Sequence, residues 1–162
     1  VEVCQNYIER INNFEKDVKV WAHFDKKLLL EKAEEADEHI RSGKPTGPLH
    51  GIPIALKDII GTVDMPTECG TPIRKGKSYS QNAEIVDLLL SAGAIIMGKT
   101  ATSELAYLGP SKTTNPHDHS RTPGGSSSGS AASVGSFMAP LSIGSQTGGS
   151  VIRPASLSLI HI

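Results

Sequence analysis

Cysteine, net charge and long apolar runs are all scarce in this sequence. The formal net charge is −1, which predicts no basic surface for nucleic acid and none for an acidic membrane. No apolar run reaches the roughly 18 residues of a membrane-spanning helix. The two cysteines, Cys4 and Cys69, lack the spacing of a metal or redox pair. We interpret them as reduced thiols, which predicts a cytoplasmic protein.

What the sequence does contain is a segment, residues 121–154, that is poor in charge and rich in glycine and serine. Such a composition is typical of a flexible linker. Here, however, the small residues form two clusters, 124–129 and 146–150, and the segment between them is apolar, with Ala131, Ala132, Val134, Phe137, Met138 and Leu141. Two serine turns framed by glycine predict a site where the backbone approaches a ligand closely, because glycine has no Cβ.

These clusters resemble the signature of the amidase signature enzymes, which are serine hydrolases that cleave carbon–nitrogen amide bonds. The family pattern is Gly-Gly-Ser-Ser-x-Gly, with a second Gly-Gly-Ser 24 residues later, and Ser126 and Ser150 have this spacing. An Arg-x-Pro-type run follows in the family, and residues 153–154 are Arg-Pro here. Residues 50–58 match the family's upstream His-Gly-Ile-Pro-x-x-x-Lys-Asp segment. The resemblance extends over residues 3–156.

The resemblance implies a catalytic role for three residues. Ser150 would be the acyl-forming nucleophile, Ser126 a bridging serine that follows a cis peptide bond, and Lys57 the base. A lysine can act as a base only when neutral, so its pKa must fall below about 10.4, and burial lowers it. The apolar run 52–56 before the lysine is consistent with burial. The alternative is a surface lysine paired with Asp58.

The resemblance also implies how the remaining signature residues act. The oxyanion of the tetrahedral intermediate needs fixed donors, and these would be the backbone N–H groups of Thr147, Gly148 and Gly149, with that of Ser150 as a further candidate. The alternative is a plain Gly-Gly turn with an exposed serine. In family members similar to malonamidase, the arginine at the position of Arg153 binds a substrate carboxylate. A structural arginine paired within the fold is an equal alternative.

The periodicity of apolar residues predicts helices alternating with strands, which is typical of an α/β layer architecture. Helices are expected over 1–14, from the Asp25 N-cap to 42, from the Asn82 N-cap to 92, over 103–108 and over 128–137. Strands are expected over 18–24, 52–56, 94–97 and 140–144. The fold class is therefore α/β. The resemblance makes it the N-terminal portion of an amidase signature fold, with a mixed β-sheet core covered by α-helices.

Three other motifs are set aside on their context. Residues 93–100 match the P-loop pattern G-x-x-x-x-G-K-[ST], but the residues inside the motif are predicted to form a strand. Residues 125–129 match the nucleophile elbow G-x-S-x-G, which requires a preceding strand that residues 120–123 do not form. His117 and His119 could bind a metal, but we interpret 113–121 as a polar loop.

The extent of the domain is also a prediction. Residues 1–156 are interpreted as the N-terminal part of a single amidase domain. Residues 157–162 resemble the translation of a sequencing adapter, and we hypothesise that this hexapeptide is a non-native tail. A fragment of this kind is expected to be inactive by itself.

The function implied is hydrolysis of a linear amide through a serine acyl-enzyme, with no metal or organic cofactor. The expected partner is a small-molecule amide substrate, with neither nucleic acid nor membrane, and the full-length protein is a candidate homodimer. The alternative is the glutaminase subunit of the tRNA-dependent amidotransferase. That subunit has Asp where this chain has Gln146 and reads Ile-Arg-Gln-Pro where residues 151–154 read Val-Ile-Arg-Pro. Both departures resemble the free-standing amidases. An inactive truncated product is a third possibility.

Overall fold

A computed structural model describes residues 1–107 and 109–160 of the chain. In chain order, the helices and strands are α1 (Glu2–Val18), β1 (Trp21–His23), α2 (Lys26–Arg41), β2 (Pro53–Lys57), α3 (Glu84–Ser91), β3 (Ile95–Thr100), α4 (Ser128–Gly135), β4 (Leu141–Ile143) and α5 (Ile152–Leu157). Two 3₁₀ turns, Pro72–Arg74 and Glu104–Ala106, lie between them. None of the described helices is long and apolar enough to cross a bilayer.

The four strands form one mixed sheet in the order β1-β3-β2-β4. β2 runs parallel to both of its neighbours, β3 and β4, whereas β1 is antiparallel to β3. The register sets Lys57 opposite Thr100, and Leu56 opposite Ile143 on the other side. The mixed α/β fold class is confirmed, and the residues that follow β2 and β4 come together at one edge of the sheet.

Both faces of β2 are buried. Successive side chains of a strand point to opposite faces of the sheet. Ile54 and Leu56 pack with α3 and β3 residues such as Val86 and Ile96. Ala55 faces the other way, into a second cluster with residues of α1, α2 and α4. This second face is the one to which Lys57 belongs by alternation, so the lysine side chain is directed towards the α4 side of the sheet.

The first helix is longer than its apolar spacing predicts. α1 continues past the predicted end at Phe14, and β1 is correspondingly shorter than the predicted strand over 18–24. Lys19 ends the helix in the left-handed region, with φ 57°, and its N–H donates to the Glu15 carbonyl. The Glu15 carboxylate accepts hydrogen bonds from the next two backbone N–H groups. This local cap, rather than the apolar pattern, decides where the helix stops.

Two details predicted for α3 are wrong. Asn82 does not cap the helix; its side chain accepts from the Val63 N–H and donates to Asp87. The apolar spacing of this helix also predicts an inward face of Ile85, Leu88, Leu89 and Ala92, but the buried residues are Val86 and Leu89. Leu88 is 59 % exposed. The helix starts two residues after Asn82, and its packing on the sheet selects the buried face.

Elsewhere the prediction and the structure agree more closely. The Asp25 side chain caps α2 by accepting from two N–H groups of its first turn. In contrast, the helix predicted over 103–108 is only the 3₁₀ turn Glu104–Ala106. Leu108 lies outside the described residues. Cys4 and Cys69 are free thiols. Of the tail 157–162, residues 161 and 162 also lie outside the described part of the chain.

Candidate active site

Lys57 is the last residue of β2, and its side chain is completely buried. Burial lowers the pKa of Lys57 from 10.5 to about 8, because a low-dielectric environment disfavours the ammonium form. The alternative of a surface lysine paired with Asp58 is wrong. The Asp58 carboxylate instead accepts hydrogen bonds from the backbone N–H groups of Glu68 and Gly70.

The Lys57 amine has oxygen atoms of two serines around it. Its Nζ lies 2.7 Å from the Ser126 Oγ. It also lies 2.9 Å from the Ser145 Oγ and 3.4 Å from the Ser145 carbonyl oxygen. The structure therefore brings together Lys57 and Ser126, two of the residues that the resemblance assigns to catalysis, although they are 69 positions apart in the chain.

Ser126 is held in a turn that has little room. The peptide bond between Gly125 and Ser126 is cis, as the resemblance implies. A Cβ built on Gly125 would lie 2.8 Å from the Ser103 Oγ, so only glycine fits there without a shift. The Ser126 carbonyl accepts from the Ser103 N–H at 3.1 Å. These contacts hold the backbone of Ser126 in place beside the lysine.

Ser150 lies beside Ser126 in a second turn. The Ser127 N–H donates to the Ser150 carbonyl at 3.1 Å, which ties the two turns together. Ser126 and Ser150 line the same cleft, whose volume is about 730 Å³, together with Ile59, Leu105, Ala106, Tyr107, Gly125, Ser145, Thr147, Gly148, Gly149 and Arg153. Within residues 1–107 and 109–160, the Ser150 hydroxyl makes no direct hydrogen bond to Ser126, so the two serines share a cleft without being bonded.

The glycine pair before Ser150 faces open space. A Cβ built on Gly148 or Gly149 would meet no atom of the described residues within 4 Å, and neither glycine has a positive φ. Neither packing nor backbone conformation therefore requires glycine here. In the part of the chain that the structure describes, the N–H groups of Thr147, Gly148 and Gly149 have no acceptor. These donors are available to an oxygen atom bound in the cleft.

Arg153 lies in the first turn of α5 and lines the same cleft. Its Nη2 donates to the Gly125 carbonyl at 3.1 Å, next to the cis peptide bond. A guanidinium carries five N–H donors, so this contact leaves others available. Arg153 thus makes a hydrogen bond within the fold and also lines the cleft.

Ser145 and Ser127 were missed by the sequence reasoning, and both support the site. Ser127 Oγ accepts from the Ser145 N–H and donates to the Ser145 carbonyl, each at 3.2 Å. Ser145 directly precedes the second Gly/Ser cluster, but nothing local marks it as a neighbour of Lys57. Its position follows from the pairing of β4 with β2, which the sequence does not reveal.

The structure also shows what the three motifs that were set aside form in the fold. Residues 95–100 of the P-loop match are strand β3, and Lys99 Nζ donates to the Ile60 carbonyl and Thr67 Oγ1, both at 2.6 Å. Burial lowers the pKa of Lys99 to about 8. Residues 120–124, directly before the elbow match at 125–129, form no strand. Among the described residues no three metal-ligating side chains cluster, including around His117.

Comparison with known proteins identifies the family. A family model described as Amidase matches residues 2–160, and the chain therefore belongs to the amidase family. The peptide amidase from Stenotrophomonas maltophilia is a similar solved structure, with a TM-score of 0.89 and 36 % sequence identity over 95 % of this chain. The family membership and the amidase signature fold expected from the two serine turns are thus confirmed.

Other relatives carry a different name. A glutamyl-tRNA(Gln) amidotransferase subunit from Chloroflexus aurantiacus is 41 % identical over 97 % of this chain. The subunit of the same name from Thermotoga maritima has a TM-score of 0.78, with 32 % identity over 96 % of this chain. The chain spans about a third of the length of these relatives: 34 % of the Chloroflexus protein, 33 % of the Thermotoga one and 34 % of the peptide amidase.

Proposed function

We propose that the full-length protein is an amide hydrolase in which Ser150 is the nucleophile, Ser126 relays a proton and Lys57 is the base. One observation carries the proposal: the buried Lys57 amine lies 2.7 Å from the Ser126 hydroxyl, at the wall of the cleft that also contains Ser150. The family membership supports the reaction class. The substrate would be a small molecule with a linear amide bond, and the residues found here need no metal or organic cofactor for this step.

The lone pair of a neutral Lys57 can accept a proton. With a pKa of about 8, about one tenth of the lysines are neutral at pH 7. Ser150 Oγ attacks the amide carbonyl carbon, its proton passes to Ser126 Oγ, and the Ser126 proton passes to Lys57 Nζ. When the carbon–nitrogen bond breaks, the amine takes a proton back by the same route and leaves. Water then cleaves the acyl-enzyme with the same groups.

The unpaired N–H groups of Thr147, Gly148 and Gly149 would bind the oxyanion of the tetrahedral intermediate. Donors fixed in advance stabilise such charge without reorganisation during the reaction. The open space beside the two glycines supports this role, because a side chain there would project to where the substrate must come close. The contacts of the described residues give no other reason for glycine at these two positions.

Arg153 would bind a substrate carboxylate with the guanidinium donors that Gly125 leaves free. Arginine suits carboxylates because its planar guanidinium can donate two parallel hydrogen bonds. This assignment predicts that Arg153→Met weakens the binding of acidic amides much more than that of neutral amides. A purely structural arginine would affect both substrates equally.

The test compares variants of the full-length protein by labelling with a fluorophosphonate, which reacts with an activated serine. Ser150→Ala should abolish labelling and amide hydrolysis, and Lys57→Ala should reduce both by orders of magnitude. Ser80→Ala and Lys44→Ala are matched controls at exposed positions and should behave as wild type. If Lys57→Ala is labelled at the wild-type rate, the serine–serine–lysine assignment is wrong.

A second candidate function is that of the glutaminase subunit in an amidotransferase, which the 41 % identity to the Chloroflexus protein favours. At the position where that subunit has Asp, Gln146 Oε1 accepts from the N–H groups of Val151 and Ile152 at 3.0 and 2.9 Å, so a neutral side chain caps α5. A free-standing amidase would release ammonia from simple primary amides by itself. A transferase subunit would require glutamine and its partner subunits.

A further inference from the structure

Ser145 contacts the Lys57 amine through two atoms. The Oγ of Ser145 is 2.9 Å from Nζ and its carbonyl oxygen is 3.4 Å away, while Ser126 Oγ is at 2.7 Å. Among the described residues the amine therefore has three oxygen neighbours, two of which belong to Ser145. The assignment of Ser150, Ser126 and Lys57 leaves Ser145 without a role.

The hydrogen-bonding capacity of a neutral amine gives Ser145 that role. Neutral Lys57 has two N–H donors and one lone pair, and rotation about the last carbon–nitrogen bond decides where the lone pair points. A carbonyl oxygen can only accept a hydrogen bond, and a hydroxyl can accept one. If the two Ser145 oxygens take the two N–H groups, the lone pair must face the Ser126 hydroxyl.

We propose that Ser145 is a positioning residue that orients the Lys57 amine so that its lone pair accepts the Ser126 proton. The inference rests on the proposed function of this site and deepens it. Among the described residues no hydrogen bond joins Ser145 to Ser126 or to Ser150, so Ser145 acts through the lysine. Its hydroxyl contacts the base, Lys57, rather than the nucleophile, Ser150.

Ser145 is held firmly enough for this task. It follows β4, which pairs in parallel with β2, the strand that carries Lys57. The Ser127 hydroxyl hydrogen-bonds both the N–H and the carbonyl of Ser145, each at 3.2 Å. The strand pairing and the Ser127 hydroxyl therefore both restrain the backbone of Ser145. Its side chain contacts the Lys57 amine from this restrained position.

The charged groups near the lysine do not take over this role. Asp58 is directed to the backbone of residues 68 and 70, and Lys99 on β3 donates to oxygen atoms of residues 60, 66 and 67. Arg153, at the cleft, donates to Gly125. Burial is the cause of the lowered pKa of Lys57, with no charged neighbour contributing among the described residues.

The test measures the second-order rate constant of fluorophosphonate labelling at Ser150 in the full-length protein. Ser145→Ala should lower it on the order of 10- to 100-fold, because the base is then misaligned. Ser145→Thr keeps a hydroxyl and should restore most of the rate. Ser142→Ala is the matched control, since Ser142 lies on β4 three residues before Ser145 and its buried Oγ has no hydrogen-bond partner among the described residues. It should label as wild type.

The pH profile separates this role from a merely structural one. The Ser145 hydroxyl also accepts from the charged ammonium, and hydrogen bonds from charged donors are the stronger ones. Loss of the Ser145 hydroxyl should therefore lower the pKa of Lys57 further. The acid limb, which is the fall of the labelling rate as the pH decreases, should then move to lower pH. If Ser145→Ala folds poorly, Ser145→Thr and Ser145→Val provide an isosteric pair that differs in the hydroxyl alone, and only Thr should retain the rate.

The inference is overturned if Ser145→Ala labels at the wild-type rate with an unmoved acid limb, or if Val and Thr behave alike. Failure of the proposed function looks different. In that case wild-type protein is not labelled at Ser150, or Lys57→Ala labels normally, and both proposals are lost. If Lys57→Ala is inactive while Ser145→Ala is normal, the Ser145 proposal alone is lost.

Discussion

The protonation of Lys57 should control the activity of the site at neutral pH. Burial lowers the pKa of this lysine from 10.5 to about 8. At pH 7 this places about one tenth of the molecules in the neutral form, compared with about 0.03 % for an unperturbed lysine. Burial therefore raises the reactive fraction about 300-fold at pH 7, and the rate should fall about tenfold for each further unit of acidification.

The assay is the rate constant of fluorophosphonate labelling of the full-length protein between pH 6 and 10, because it requires no knowledge of the natural substrate. We expect a single acid limb with a midpoint near pH 8. Lys57→Arg is the informative variant, since arginine stays charged over this whole range. It should label very slowly at every pH, whereas Lys44→Ala should reproduce the wild-type profile.

Two outcomes would refute the reasoning. A labelling rate that is flat from pH 6 to pH 9 would mean that no group with a pKa near 8 activates Ser150. A limb with its midpoint above pH 10 would mean that the lysine titrates as if exposed, which contradicts its complete burial in the structure. The flat profile would mean that Lys57 is not the base, and the high midpoint would mean that burial does not lower its pKa.

Three further predictions concern stability and the glycines. Gly129→Ala should lower the free energy of unfolding by about 1–3 kcal/mol in a urea titration, because its Cβ would lie 2.5 Å from backbone atoms of Val20 and Ala101. Gly148→Ala should leave the melting temperature unchanged and still slow hydrolysis, since its Cβ enters only the cleft. A loss of stability as large as that of Gly129→Ala would argue against this. The pKa values of Lys57 and Lys99 are about 8 in the folded protein, against 10.5 for an unperturbed lysine, so the unfolded state binds more protons in between. The free energy of unfolding should therefore gain a rising contribution from about pH 8 to pH 10.5, and Lys57→Met should remove part of that rise.

Much of the fold could be predicted because its signals are local. The carboxylate of Asp25 caps α2, and the apolar run before Lys57 forms the buried strand β2, both as expected. In α3, where the prediction was wrong, a contact from elsewhere in the chain decided the outcome. Asn82 bonds Val63 instead of capping α3, and the helix buries Val86 because of how it lies on the sheet.

Some features of the candidate site are likewise visible in the sequence, and others appear only in the structure. The spacing of Ser126 and Ser150 and the lysine at position 57 are visible in the sequence, and the resemblance to the family assigned them roles. The cleft that Ser126 and Ser150 share, and the contact of Lys57 with Ser126, agree with that assignment. The roles themselves stay predictions until the labelling experiments are done.

The sequence by itself thus determined the identity and order of the two serine turns and the apolar surroundings of the lysine, because these are properties of neighbouring residues. Only the tertiary structure decided that Ser145 reaches Lys57, 88 positions earlier in the chain. That contact depends on β4 pairing with β2 in the order β1-β3-β2-β4. The physical reason is that strand order arises from packing between distant parts of the chain, which leaves no local pattern in the sequence.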